Sequence, residues 1–183
     1  MITIVTGLPR SGTSLMMQML EAAGIPILSD GIRTADESNP KGYYEYDKTR
    51  RLQKDNSWMA EAEGKAVKVI VQLLPFLPRS YDYCFILMHR PIPEVIQSQN
   101  RMLERLGRSG ASISLEPVFN QQLNRARQWL NRQSRVSEMS FHDLVQDPEP
   151  NCKKLEAFLG LKGCAEQMMR VIDPGLWREK QSS

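Results

Sequence analysis

Apolar residues fall into two kinds of run along this chain. Short β-branched or aromatic runs read as buried strands: Ile2-Thr3-Ile4-Val5, residues 66–71 and residues 83–88, with residues 136–139 as a candidate last strand. Between them, apolar residues recur at helical spacing. Leu15, Met16, Met19, Leu20 and Ala23 predict a helix closed by Gly24 and Pro26. A second helix enters at Pro91 and Pro93 and runs to about Leu106, with Val95, Ile96, Gln99, Met102, Leu103 and Leu106 on its inner face. Glu94, Ser98, Arg101 and Arg105 share another face. A long helix from about Glu116 carries the stripe Phe119, Leu123, Ala126 and Leu130, and Asp147-Pro148 starts a helix that Gly160 ends. A final helix spans residues 165–172. Residues 25–28 predict a brief extra strand, 29–40 a loop over the sheet edge, and 107–114 a lid or a slack connection. Strands alternating with helices predict an α/β fold, a three-layer αβα arrangement around a mostly parallel central sheet.

The first strand and first helix are joined by Gly7-Leu8-Pro9-Arg10-Ser11-Gly12-Thr13-Ser14. A glycine loop at a helix N-terminus lets backbone N–H groups converge on an anion, and the helix dipole favours the negative charge. Ser11, Thr13 and Ser14 add hydroxyls, and Arg10 adds a planar fork matched to phosphate. The spacing is that of a P-loop, G-x-x-x-x-G, except that Thr13 stands where an NTPase carries its lysine. The strand at residues 83–88 leads into His89-Arg90 rather than a metal-holding aspartate. Both differences argue against routine ATP or GTP hydrolysis.

Composition narrows the picture further. At 183 residues the chain reads as one domain, with 41% hydrophobic and 25% charged residues. A net charge of +3 is too mild to imply a nucleic-acid partner, though its sign suits an anionic ligand. Cys84, Cys152 and Cys164 have no metal-ligand spacing, and their odd number points to reduced thiols and a cytoplasmic location. The first strand begins almost at Met1 and no apolar run reaches membrane-spanning length, so neither a signal peptide nor a membrane anchor is expected.

Three stretches in register resemble the sulfotransferases that use 3′-phosphoadenosine-5′-phosphosulfate (PAPS). The glycine loop resembles the family's 5′-phosphosulfate loop, His89-Arg90 through Ser98 its 3′-phosphate motif, and Ser140-Phe141-His142-Asp143-Leu144-Val145-Gln146-Asp147-Pro148 its region after the last core strand. The resemblance implies a P-loop NTPase-like sulfotransferase fold, PAPS as donor with 3′,5′-ADP as product, and no metal. It also implies donor binding by Pro9, Arg10, Ser11, Gly12, Thr13, Ser14, Arg90 and Ser98, with Arg178 in a basic C-terminal segment. Arg10 would act on the leaving phosphate. Independently of the family, Arg90 pairing with Glu94 and Ser98 as an ordinary exposed residue is the competing reading.

The acceptor side follows the family less closely. Cytosolic members place a catalytic histidine after the strand corresponding to residues 66–71; here Gln72-Leu73-Leu74-Pro75 follows. Glu45, in Tyr43-Tyr44-Glu45-Tyr46, is the candidate base, its aromatic neighbours supplying the desolvation such a base needs, with Asp36 and Glu37 as weaker candidates. The tyrosines either pack with their hydroxyls at the surface or line a pocket. Lys65 and Lys68 are solvated by default, or else bring charge to the transferred group; His142 is expected to pack. The acceptor site is a small pocket under residues 29–46, an open face, or a site completed by a partner subunit in a homo-oligomer. A P-loop nucleotide or small-molecule kinase and a non-catalytic phosphoadenosine-binding module are the alternatives.

Overall fold

The computed structural model describes residues 1–37, 39–108 and 114–177. Its centre is a parallel sheet in the order β2-β1-β3-β4. Strand β1 (Ile2–Gly7) is buried along its whole length because it has a neighbour on each side, β2 (Ala66–Lys68) and β3 (Tyr83–His89). Strand β4 (Val136–Ser140) closes the far edge against β3. Side chains alternate across the sheet, so each strand feeds two cores. Ile2, Ile4, Phe85 and Leu87 pack in one apolar cluster, and Val5, Ile86 and Met88 in the other.

Helices cover both faces. Helix α1 (Thr13–Ala22) packs in the second cluster through Met16, Met19 and Leu20, together with α4 (Phe141–Gln146), α5 (Pro148–Leu159) and α6 (Ala165–Val171). Helices α2 (Ile92–Arg105) and α3 (Leu115–Leu130) cover the other face. The α3 stripe Phe119, Leu123, Ala126 and Leu130 is buried as its spacing predicts. This is the expected three-layer αβα fold.

Several elements depart from the sequence reading. Strand β2 stops at Lys68 rather than Val71, pairing with β1 only as far as Val5, and the chain then turns into a 3₁₀ helix over Val71–Phe76. Residues 25–28 make one bridge, Ile27 to Ala66, instead of a strand. By contrast, the charged stretch 47–64 is helical in part, as its sequence suggests, through two 3₁₀ segments, Asp47–Arg51 and Ser57–Ala62. Helix α4 was not anticipated: Ser140 Oγ caps it by accepting the Asp143 N–H at 3.2 Å. On α2 the sides are partly exchanged. Ser98 is buried where α2 faces the site described next, Glu94 is buried beneath Arg90, His142 and Trp177, and Leu106, just past the helix, is 57% exposed. The expected lid or slack connection lies largely outside the described residues. Among those described, no helix is long and apolar enough to cross a membrane.

Candidate active site

In a parallel sheet every strand delivers its C-terminal end to the same edge, and the crevice opens where the chain order reverses. Here the reversal falls at β1, whose sequence neighbour β2 lies on one side and β3 on the other. A cavity of about 390 Å³ occupies this edge. Its lining includes Pro9, Arg10, Gly12, Thr13 and Ser14 of the loop, Arg90 after β3, Ser98 on α2, and Glu45. Residues from four separate parts of the chain thus meet around one space. Ser11 does not line it, and Arg178 lies outside the described residues.

The glycine loop has unspent donors. The first N–H groups of any helix lack intrahelical acceptors, and no side chain caps α1. The Ser11 hydroxyl is buried beneath the loop with no hydrogen-bond partner among the described residues. Gly12 takes φ +97°, and a Cβ there would meet Phe141 Cδ2 at 2.7 Å. Only glycine lets the turn come this close to α4. Arg10 holds a left-handed φ of 67° that aims its side chain across the cavity, where its Nε donates to Ser98 Oγ at 3.0 Å. The donor set fits a phosphate-type anion.

Arg90 is buried and stacks on Phe141, its Cζ 4.7 Å from the ring centroid. Its Nε donates to Glu94 Oε2 at 2.8 Å, the pairing named as the competing reading, yet Arg90 also lines the cavity. The ion pair and the anion site are therefore compatible. Glu94, 1% exposed, meets His142 Nε2 at 3.0 Å and accepts from Trp177 Nε1 at 3.1 Å. Burial alone would raise its carboxyl, but hydrogen bonds from His142, Arg90 and Trp177 outweigh that and hold it below the ordinary glutamate value. His142 therefore does more than pack: it helps to pin the carboxylate behind Arg90. His89 lies off the cavity, 3.9 Å from Glu138.

Lys68 corrects another expectation. Its side chain is 11% exposed, lines the cavity, donates to the Tyr43 carbonyl and approaches Ser14 Oγ at 3.4 Å. Burial pushes its ammonium down to about 8. The loop position that lacks a lysine at Thr13 thus has an amine delivered from β2. The available signal was a lysine at the C-terminal end of an otherwise apolar strand. Lys65 does not line the cavity.

Glu45 sits at the cavity but not among aromatic rings alone. Its oxygens accept from Arg33 Nη1 at 2.9 Å and Arg50 Nη2 at 3.1 Å, and Lys68 Nζ is 3.9 Å away. Asp36 is bonded to the Tyr43 hydroxyl at 2.8 Å, and neither it nor Glu37 lines this cavity. Burial first, then Asp36, raises the Tyr43 phenol.

Fold and site together define a P-loop-type α/β protein whose glycine loop lacks the NTPase lysine at Thr13. The sulfotransferase-family model matches residues 43–166, more than half of the chain. The protein belongs to the sulfotransferase family. Solved structures agree on the fold. The sulfotransferase domain of the curacin biosynthetic pathway matches with a TM-score of 0.53 and 17% identity, over 100% of this chain and 78% of that one. The sulfotransferase domain of the Synechococcus olefin synthase matches at 0.55 and 15%, over 99% and 88%. A Mycobacterium tuberculosis sulfotransferase matches at 0.55 and 15%, over 92% and 70%. No curated protein matches the sequence.

Proposed function

We propose that the chain, as one catalytic unit over residues 1–183, transfers a sulfuryl group from PAPS to an acceptor hydroxyl or amine and releases 3′,5′-ADP. The observation that carries this reading is the Arg10–Ser98 hydrogen bond, which joins the glycine loop to the helix that follows Arg90 across one cavity. A nucleotide with a 5′-phosphosulfate and a separate 3′-phosphate needs two such anion sites. The loop N–H groups with Arg10, Thr13 and Ser14 suit the first, and Arg90 with Ser98 suits the second. When bound, PAPS supplies an activated sulfur–oxygen bond.

Arg10, the loop donors and Lys68 stabilise the charge that develops on the leaving phosphate, each donor in a dry site being worth about 2–4 kcal/mol. The acceptor oxygen's bond to sulfur forms as the sulfur–phosphate oxygen bond breaks, and the acceptor proton passes to Glu45. The two arginines already bonded to Glu45 favour a second reading, a module that binds phosphoadenosine without turnover.

The test is the thermal midpoint with 3′,5′-ADP and, separately, with ATP and Mg²⁺. At a hundred times the dissociation constant, specific binding adds about 2.7 kcal/mol, or roughly 2–4 °C. A shift with 3′,5′-ADP alone, removed by Arg90→Ala, supports the proposal; a shift only with ATP and Mg²⁺ favours a kinase. Glu45→Gln should then abolish PAPS turnover while keeping 3′,5′-ADP affinity, and a parent protein that binds but never turns over is the binding module.

A further inference from the structure

The main-chain carbonyl of Tyr43 points at the glycine loop, where it occupies two of the groups assigned to the donor. Ser14 Oγ donates to it at 3.3 Å, and Lys68 Nζ donates to it as well. A hydroxyl carries one hydrogen, so Ser14 cannot serve this carbonyl and a phosphate oxygen together. The negative end of the carbonyl dipole also opposes any anion held by the same groups. In the ligand-free protein this peptide is therefore set against the anion that the loop fits.

An uncommon backbone aims the carbonyl inward. Tyr44 takes φ 54°, a left-handed conformation that is an outlier for so bulky a side chain. Strain of this kind persists only where the surroundings hold it, and it gathers at binding and switch segments. Here both neighbouring side chains are fixed. The Tyr43 hydroxyl donates to Asp36 Oδ1 at 2.8 Å with Arg33 over its ring, and the Tyr44 hydroxyl donates to Glu21 Oε2 of α1 at 2.8 Å. The backbone is tied on each side too, the Gly42 N–H to the Asn39 carbonyl and the Glu45 carbonyl to the Asp30 N–H, each at 3.1 Å. Between these ties, the Tyr44 N–H has no backbone acceptor among the described residues.

A peptide unit is planar, so turning it over changes ψ of the residue before it and φ of the residue after it while leaving both side chains in place. A half-turn takes Tyr44 from φ 54° to roughly −125°, in the extended region open to any residue. It also carries the carbonyl out of the loop and puts the Tyr44 N–H where the carbonyl was. Resting on the donor assignment above, we infer that the Tyr43–Tyr44 peptide flips when a 5′-phosphosulfate, or the 5′-phosphate of 3′,5′-ADP, enters the loop, freeing Ser14 and Lys68 and presenting the Tyr44 N–H as a further donor to the anion. The strain at Tyr44 is released in the same step. Because Glu45 is the next residue, the flip also links the acceptor side of the cavity to the arrival of the donor. By linkage, a change that disfavours the unflipped peptide tightens nucleotide binding to the same extent.

Tyr44 does not line the cavity, so its side chain can be replaced without reshaping the anion site. The test compares Tyr44→Gly with Tyr44→Ala. Both lose the same phenol and its bond to Glu21; they differ in that glycine takes the left-handed conformation freely and alanine does so at a cost. Calorimetry with 3′,5′-ADP should give about tenfold tighter binding to the alanine variant, equivalent to about 1.4 kcal/mol, while that variant melts lower without ligand. Adenosine 3′-phosphate brings no 5′-anion and should bind the two variants alike. Equal affinities for 3′,5′-ADP overturn the inference, since the left-handed turn then survives in the complex, and so does a ratio that persists with adenosine 3′-phosphate. If either variant fails to fold, the parent protein labelled with nitrogen-15 tyrosine decides: the coupling between the Tyr44 amide and α hydrogens should change from a left-handed to an extended value on adding 3′,5′-ADP, and an unchanged coupling overturns the flip. If 3′,5′-ADP does not bind the parent, the donor assignment fails, and the same comparisons with inorganic phosphate still decide whether an anion in the loop turns the peptide.

Discussion

Arg90 Nε donates to Glu94 Oε2 at 2.8 Å, and both side chains are buried, one turn apart at the entry of α2. The carboxylate also holds His142 and Trp177, so a single acidic group ties β3, α4 and the segment after α6 to the arginine that lines the cavity. Removing one partner of such a pair strands a buried charge. Glu94→Ala is expected to cost about 3–5 kcal/mol in chemical denaturation. It should also weaken 3′,5′-ADP binding and shift Trp177 fluorescence.

Lys68 makes stability depend on pH in a defined direction. Its folded-state value is lowered to about 8, so between there and the free lysine value the unfolded chain binds more protons than the folded one. Stability contributed by this site therefore rises with pH across that window, and the cost of burying the ammonium is fully present below it. Lys68→Met should be more stable than the parent at neutral pH, by at most about 3 kcal/mol, with the gap closing toward alkaline pH. The same variant should lose PAPS turnover.

Gly12 is the position at which the loop tolerates least. Gly12→Ala forces a Cβ to 2.7 Å from Phe141 at φ +97°. The left-handed backbone alone costs about 1–2 kcal/mol for a non-glycine residue, and the contact adds to it. Denaturant titration should show at least that loss, and 3′,5′-ADP should bind more weakly because the loop donors are displaced.

Arg10 aims at the cavity from a left-handed backbone and meets Ser98. If it stabilises charge formed only in transit, Arg10→Ala should lower kcat by about 10²–10³ with a smaller effect on 3′,5′-ADP affinity. Ser98→Ala should do the reverse, weakening the nucleotide with little change in kcat.

What the sequence determined by itself was local. The run at residues 2–5, the glycine loop and the stripe on α1 depend on neighbouring residues and backbone preference, and all three stand where the pattern put them. So do β3 and the apolar stripe of α3, because strand and helix periodicities are written into nearest neighbours. The motif residues of the loop, Arg90 and Ser98 were likewise legible, and the fold brings all of them except Ser11 to one cavity.

Tertiary structure decided the rest, since burial and charge pairing arise between residues far apart in the chain. Lys68 became a buried cavity amine because β2 delivers it to the edge where α1 begins, a relationship no window around residue 68 contains. Glu94 became a buried hub because His142 and Trp177, 48 and 83 residues away, close over it. The polar stripe of α2 turned inward for the same reason: hydrophobic periodicity reports which face avoids water, but a site at the end of a sheet draws its polar face inward as well.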